Sequence, residues 1–475
     1  MCEPSKTSTG LKRRSKREKS SSSPSTSNPV RADESHKESL ADNILASLSD
    51  VSLMSVLPIL ATILVLSCAI LAYSGFRGRT TCVGIDLGTT FSVVAVRSNG
   101  GIGDVEVVDG RDGIVPSVVW YGGGGEVKVG KEAKEEIMKD SKNVVYNAKR
   151  YIGRDDVERD EWREFTLTPT PLDKKPKGFD LISSWSFLTS SGSTHTPEEV
   201  GSTIISHLLN ITSLHLGHNQ IKTAVISVPT KFNQKQRQAT ALAFKLAGIK
   251  VTRILEEPEA AALAYGLVKK PGVNFILVYD FGGGTLDVSV LHVSDGYVEV
   301  MASEGDEFLG GGDFDRVIAE MFWKELEAKG QIVSNSNECP HGDSTRCTLD
   351  DLYVISEGLK IEMSNIYDTP SPVAKSSCVT YDSKCSPKTV ELSITKRKYD
   401  AITEDLFSRS AAPIHDVLEK LELQPEDIDE VVMVGGTSRM PKIRELVKEV
   451  LKKEKLNVEI DPDVTVAFGC AEVID

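Results

Sequence analysis

The sequence predicts an α/β protein of two like-built lobes facing each other across a cleft, preceded by one transmembrane helix. Three observations carry this. From Thr81 to Asp475, short β-branched runs alternate with helical patterns. Two strand ends, at Asp86 and Asp280, repeat one order of Asp, glycine-containing turn and Thr before the chain turns back. Ahead of both, Val51 to Phe76 carries no charge. The 475 residues are 40% hydrophobic and 26% charged, which excludes a wholly disordered, collagen-like or multi-span membrane chain. That length suits two domains with cores of their own. The net charge of −14 argues against a dedicated nucleic-acid binder, whose phosphate contacts need clustered Lys and Arg.

Such a cluster occurs only in the tail, residues 1–50: Lys6, Lys12, Arg13, Arg14, Lys16, Arg17 and Lys19, followed by a Ser-rich run from Ser20. The tail has too little apolar surface to fold and is expected to be disordered. A nuclear signal and a lipid-binding patch are the sharper readings of its charges; a solvated tail is the favoured one.

Residues 51–76 are expected to be a transmembrane anchor, because a helix crosses a bilayer with about 20 apolar residues. A cleavable signal peptide is the rival, since Ala72-Tyr73-Ser74 fits a small-x-small site, but the apolar run is long for a signal core. Nearby charges balance, Arg31 and Lys37 before the span against Arg77 and Arg79 after it. The distant tail cluster tips the orientation towards a cytosolic tail and a translocated globular part. Cys339, Cys347, Cys378 and Cys385 gather in a Ser/Asn/Asp-rich stretch, expected to be a variable insertion over 331–390. Their spacings are wider than those of usual zinc pairs, so disulfides in an oxidising lumen are preferred to a metal site. Asn210-Ile211-Thr212 is a formal glycosylation sequon in a helix-like stretch.

Strand-like runs include Cys82 to Ile85, Ser92 to Val96, Ala224 to Val228, Phe275 to Tyr279, Val288 to Val293 and Val431 to Val434. Helix-like runs include Pro197 to Leu216, Gln234 to Ala247 and Glu259 to Leu267, the last opened by Glu257-Pro258.

The chemistry sits at three strand ends. Asp86-Leu-Gly88-Thr89-Thr90 and Asp280-Phe-Gly282-Gly283-Gly284-Thr285-Leu-Asp287 each follow a buried strand. Their glycines let backbone N–H groups approach phosphate oxygens, and their carboxylates suit a hydrated Mg²⁺. Val434-Gly435-Gly436-Thr437-Ser438-Arg439 is a strand, a glycine turn and a helix start, where a purine and its ribose can lie against backbone. One such turn alone reads as structural; the three in this order indicate an ATP-binding cleft. Gly125 to Lys131 has the spacing of a Walker A loop, but Glu132 stands where a hydroxyl should bind Mg²⁺, so the segment is read as a hairpin leading into a helix.

From Cys82 onward the chain resembles the ATPase domain of the seventy-kilodalton heat-shock chaperones, in the actin and hexokinase fold superfamily. The stretches that carry this are GIDLGTTFSVVAV, NAKRYIGR, VISVPTKFNQKQRQAT, EEPEAAALAYGL, YDFGGGTLDVSVL, FLGGGDFD and VVMVGGTSRMPKIR. Within the family it most resembles the microsomal Stch-type ATPase core, which has a membrane-directing N terminus and no peptide-binding domain. The resemblance implies an ATPase lobe I over 82–269, to which 458–475 returns, and a lobe II over 270–457. It puts Asp86, Asp280 and Asp287 around a water-bound Mg²⁺ and monovalent cations such as K⁺. Gly88, Thr89, Thr90, Gly282, Gly283, Gly284 and Thr285 would meet the ATP or ADP phosphates. Gly435, Gly436, Arg439, Asp463, Glu357 and Lys360 would meet the adenosine. Lys149, Glu257, Asp280 and Thr285 would be catalytic, Lys149 reaching the γ-phosphate and attacking water. Phosphoryl transfer needs such positioning and charge neutralisation more than covalent help. Apart from the resemblance, Lys149 reads as a surface lysine and Glu257 as a helix-start carboxylate favoured by the dipole.

The pattern departs at Ile361, where a basic residue is expected beside the adenine, at Phe91 for Tyr, at Glu256 for Asn and at Gly312 for an acidic residue. Pro229 and Arg237 match the family's interdomain switch, and a structural reason is expected for both: strand exit for Pro229, helix-face pairing for Arg237. The resulting expectation is an Mg²⁺-dependent ATPase anchored in the endoplasmic reticulum membrane, its ATPase domain luminal. Its expected partners are the membrane and luminal co-chaperones or nucleotide-exchange factors, without nucleic acid and without direct peptide-client binding by a dedicated domain. The paired Arg13-Arg14 resembles a retrieval signal of that compartment. A nucleotide-dependent interaction protein with little turnover is the alternative; a small-molecule kinase is disfavoured by Lys149 and Glu257.

Overall fold

A computed structural model describes residues 53–73, 79–98, 104–109, 113–155, 170–171, 182–331, 347–381 and 386–474. The basic tail, Cys339 and Cys385 lie outside these residues. The chain divides into two units, Met1–Phe76 and Arg77–Asp475.

In the first unit, Leu53–Tyr73 is one helix of 21 residues with Pro58 inside it. Its polar side chains bond within the helix, Ser67 Oγ donating to the Ile63 carbonyl at 2.6 Å and Thr62 Oγ1 to the Ile59 carbonyl at 3.2 Å. Side chains are described only over 57–70. Among the described residues no helix is long and apolar enough to cross a membrane.

The second unit is built on two sheets of like order. In the first, Val105–Val107, Phe91–Arg97 and Cys82–Leu87 form an antiparallel meander, extended by the parallel strands Thr223–Val228 and Lys250–Glu256. In the second, Tyr297–Asp306, Leu286–Ser294 and Phe275–Phe281 form the meander and Glu430–Val434 is the parallel neighbour. A parallel bridge from Val432 to Asn457 marks the place of a fifth strand there. Each Asp thus ends the first strand of a meander, next to the parallel strand.

The first strands are buried on both faces and read as continuous apolar runs, as central strands between helical layers do. Pro197–Leu216 and Gln234–Leu246 cover one face of the first sheet. Both start where the sequence places them, each with a capping box, Thr196 with Glu199 and Asn233 with Gln236. The first ends at Leu216, with Gly217 left-handed beyond it. Thr212 of the sequon is fully buried inside that helix, its hydroxyl bonded to the Leu208 carbonyl.

Between the sheets lie Glu257–Ala264 and Thr465–Glu472, in one apolar layer with Val93, Val225, Val278 and Val432. The first of these helices is displaced from the expected Glu259 to Leu267. Pro258 lies inside its first turn, and Gly266, at φ 64°, breaks it. Close approach here requires glycine: a Cβ on Gly84 would lie 2.5 Å from the Ala471 nitrogen, and one on Gly469 1.8 Å from the Ala260 carbonyl.

Over the outer face of the second sheet pack Gly311–Ala328, Lys396–Lys420 and Pro441–Leu451. Leu349–Ile366 packs beside Gly311–Ala328 and the hairpin Val373–Tyr381 with Pro387–Thr395. A disulfide joins Cys347 to Cys378, with a Cα–Cα distance of 5.2 Å. It fastens the start of Leu349–Ile366 to the hairpin.

Candidate functional site

Asp86 and Asp280 are the penultimate residues of the two first strands, and Asp280 is paired in register with Asp287. Lys149 enters from the short turn Ala148–Tyr151, which the left-handed Asn147, at φ 58°, aims inward. Its side chain is 8% exposed and Nζ donates to Glu257 Oε1 at 2.8 Å. Lys149 is therefore no surface lysine. Glu257 is the first residue of its helix, so the dipole favours its charge as well.

Burial dominates the electrostatics. It pushes the Asp86 carboxyl up to about 6 against the opposing pull of Lys149, while Ser227 Oγ donates to Asp86 Oδ1 at 2.9 Å. Asp287 is likewise raised by burial to about 6, with Lys231 opposing at 3.7 Å. Asp280 lies well above the usual carboxylate range through burial and the charges of Glu257, Asp287 and Asp86. Burial alone would lower Lys149; Glu257, Asp86 and Asp280 overcome it and raise the ammonium. Four carboxylates thus share one buried ammonium, and the excess negative charge suits a cation. Among the described residues no three of His, Cys, Asp and Glu converge closely enough to hold a metal directly. Such a carboxylate set would suit a hydrated divalent ion, whose waters could donate to Asp86, Asp280 and Asp287.

The glycine turns are packed so that side chains are excluded. A Cβ on Gly88 would fall 2.0 Å from the Phe91 carbonyl, and one on Gly283 2.2 Å from Thr90 Oγ1. The turn Gly282 to Thr285, closed by Gly282 N–H to the Thr285 carbonyl at 3.0 Å, therefore lies directly against Thr90 of the opposite lobe. Arg150 crosses the same gap, donating to the carbonyls of Gly284 and Glu307. Thr89 lines a small cavity with Gly88, Ser117 and Lys149.

At the third glycine turn, Gly435 has φ 79° and its Cβ would lie 2.4 Å from the Phe281 carbonyl, so only glycine brings that turn onto the turn Gly282 to Thr285. Thr437 Oγ1 donates to the Gly282 carbonyl at 2.8 Å. Arg439 donates from Nη2 to Asp463 Oδ2 at 2.7 Å and also to Asp461. Asp463 also stands beside Gly436. Lys360 and Glu357 have protein partners: Lys360 Nζ bonds Asp315 Oδ2 at 2.8 Å and the Gly311 carbonyl at 2.9 Å, and Glu357 pairs with Lys134. Ile361 is 53% exposed on the same helix.

Sequence reasoning gave no role to Ser227 and Asp315, although they stand in the stretches VISVPTKFNQKQRQAT and FLGGGDFD, nor to Arg150, which adjoins Lys149, and it missed Lys134, which lies in no motif. The Walker-like run is the strand Val127–Val129, paired with Val119–Tyr121 and followed by the helix Lys131–Glu135 that presents Lys134. Arg237 does not pair along its helix; it bonds Glu256 Oε1 at 2.7 Å and the Phe232 carbonyl at 2.9 Å.

Paired sheets of one order, acidic strand ends facing each other and glycine turns between them define an actin-like α/β ATPase fold. The chain belongs to the Hsp70 family, whose model, described as Hsp70 protein, matches residues 82–474. It is similar to the chaperone protein dnaK of Cyanidioschyzon merolae, 39% identical over 394 residues, covering 82% of this chain and 60% of that one. A chaperone protein dnaK of Guillardia theta is 40% identical over 391 residues, covering 82% and 58%. The chain spans about three-fifths of the length of these curated relatives.

Proposed function

We propose that this Hsp70-family ATPase domain binds ATP with Mg²⁺ and hydrolyses it to ADP and phosphate. The observation that carries the reading is the buried Lys149–Glu257 pair, set among Asp86, Asp280 and Asp287 at the meeting of two glycine turns. The N–H groups of Gly282 to Thr285 and the Thr89 and Thr90 hydroxyls would bind phosphate oxygens. Lys149 would place its charge on the transferred phosphoryl group. Glu257, fixed by Lys149, would accept a hydrogen bond from the attacking water. A bound Mg²⁺ would neutralise charge on the phosphates; Asp86, Asp280 and Asp287 would orient its waters, possible K⁺ sites sharing the same carboxylates. Arg439, Asp463, Gly435 and Gly436 would bound the adenosine, with Ile361 as an apolar wall.

Membrane anchoring belongs to the same proposal, supported by the sequence, which carries no charge from Val51 to Phe76. The Cys347–Cys378 bridge supports an oxidising compartment, and hence an ATPase domain in the lumen of the endoplasmic reticulum, of the Stch type. There it would act through luminal co-chaperones or exchange factors. Digestion of the domain in intact microsomes would overturn the luminal placement.

The second reading, a nucleotide-gated interaction protein with little turnover, draws on Lys134–Glu357 and Arg150, which tie the lobes together and oppose product release. Steady-state phosphate release by the purified full chain separates the two, measured beside Lys149→Ala and Asp280→Asn. Mg²⁺-dependent release that both variants lose supports hydrolysis. Tight binding with no release above the variants supports the second reading.

A further inference from the structure

We propose that Asp315 is a positioning residue for nucleotide binding: through Lys360 it fastens the nucleoside-side helix to the phosphate turn. This rests on reading the cleft as a nucleotide site.

Lys360 lies on Leu349–Ile366 and Asp315 on Gly311–Ala328, the ammonium side chain 12% and the carboxylate 6% exposed, with Nζ 2.8 Å from Oδ2. The same ammonium donates to the Gly311 carbonyl at 2.9 Å. Gly311 N–H in turn donates to the Gly282 carbonyl at 3.1 Å, and Gly312 N–H to that of Gly283 at 2.8 Å. The Gly282 carbonyl also accepts from Thr437 Oγ1. A Cβ on Gly311 would lie 2.6 Å from Thr437 Oγ1 and 3.1 Å from Lys360 Nζ, so no side chain fits between them. The nucleoside-side helix, the phosphate turn and the Gly435 to Thr437 turn therefore meet around one backbone position, and the Lys360 ammonium fixes the helix to it.

Stability does not explain the pair. Asp315 Oδ1 is buried with no hydrogen-bond partner among the described residues, and burial raises its carboxyl to about 6 although Lys360 opposes this. An apolar pair of similar volume is commonly as stable as a buried ion pair. What the ion pair supplies is direction. It sets an ammonium of three N–H donors in one place, two of them used within the protein and one left for a ligand oxygen. Without Asp315 the ammonium keeps only the Gly311 carbonyl, and the helix loses its fixed distance from the phosphate turn.

The test uses the full chain, with ADP affinity by calorimetry, KM and kcat for ATP, and the nucleotide-free melting temperature. Asp315→Asn keeps Lys360 and the shape; ADP binding is expected to weaken at least tenfold, the loss falling on KM rather than kcat. The double variant Asp315→Leu/Lys360→Met is expected to melt near the parent temperature yet stay at least tenfold weaker for ADP. ADP affinity equal to the parent in Asp315→Asn overturns the inference, as does a double variant that recovers affinity together with stability. Should Asp315→Asn fail to fold, Asp315→Ser, which also keeps Lys360, takes its place under the same criterion. A parent that binds neither ADP nor ATP would overturn the reading of the cleft, and the role of Asp315 with it, whereas a binding parent and a parent-like variant reject only the role.

Discussion

Lys134, from the first lobe, and Glu357, from the helix Leu349–Ile366 of the second, form an ion pair of 2.5 Å that joins the two lobes. The side chains are 33% and 27% exposed, so solvent screens the pair and its worth is at most about 1 kcal/mol. If the lobes must part to release ADP, Lys134→Ala accelerates ADP dissociation up to about fivefold, the rate equivalent of that energy. Stopped-flow release of a fluorescent ADP checks this. Raising the salt should accelerate the parent and leave the variant nearly unchanged.

The carboxylates of the cleft give an acid-side signature. Burial raises Asp86 and Asp287 from 3.8 to about 6, so both take up protons as pH falls through that value. Phosphate release should then fall below about pH 6. The stability of the nucleotide-free protein moves the other way at this site. A native pKa above the unfolded one means that the native state binds more protons between pH 3.8 and 6, so this contribution is full below the lower value and lost as pH rises through the upper. Asp86→Asn should therefore raise the melting temperature at pH 7.5 in the absence of nucleotide, and differ little from the parent near pH 4. Thermal melts across that range test it; a variant less stable than the parent at pH 7.5 would reject the account.

How much of this was legible in the sequence depends on range. The strands, the capping boxes at Thr196 and Asn233, and the acidic turns at Asp86 and Asp280 are local patterns, and the backbone follows them. The matched order of the two sheets was foreshadowed only by the repeat of Asp, Gly and Thr. What could not be read is set by contact across the fold. Lys134 lies in no motif, Asp315 and Ser227 stand in quoted stretches that say nothing of what they touch, and their partners Glu357, Lys360 and Asp86 are distant in the chain. Glu257 was expected as a helix-start carboxylate and begins its helix, Pro258 suiting the first turn; the far end, expected at Leu267, comes at Ala264 because Gly266 turns left-handed. Arg237 illustrates the opposite error: helix-face pairing was the local expectation, and the partner, Glu256, comes from a neighbouring strand.

The layer between the sheets sets a second stability test. A Cβ on Gly469 would lie 1.8 Å from the Ala260 carbonyl, a backbone atom that no rotamer change can move. Gly469→Ala must push apart Glu257–Ala264 and Thr465–Glu472, at a cost of about 1–3 kcal/mol or more. Because Glu257 begins the first of these helices, phosphate release should fall along with the melting temperature. Gly330→Ala, in open space at φ 63°, is the control: a strained but uncrowded position far from this layer, expected to lower stability less.

The Cys347–Cys378 bridge ties a strand of the hairpin to the residue before Thr348, whose side chain caps Leu349–Ile366. The bridge closes a sequence separation of 31, for which loop-closure entropy gives about 2–4 kcal/mol. Both cysteines are buried, at 7% and 1% exposure, so the oxidised bond should resist mild reductant until the unit opens. Cys378→Ser should lower the melting temperature and loosen the helix that carries Glu357 and Lys360, weakening nucleotide binding as well. Mass spectrometry of the non-reduced full chain, isolated from cells with its thiols blocked at lysis, shows which compartment the domain folds in. A 347–378 cross-linked peptide is expected from an oxidising lumen, and two free thiols there would move the ATPase domain to the reducing side.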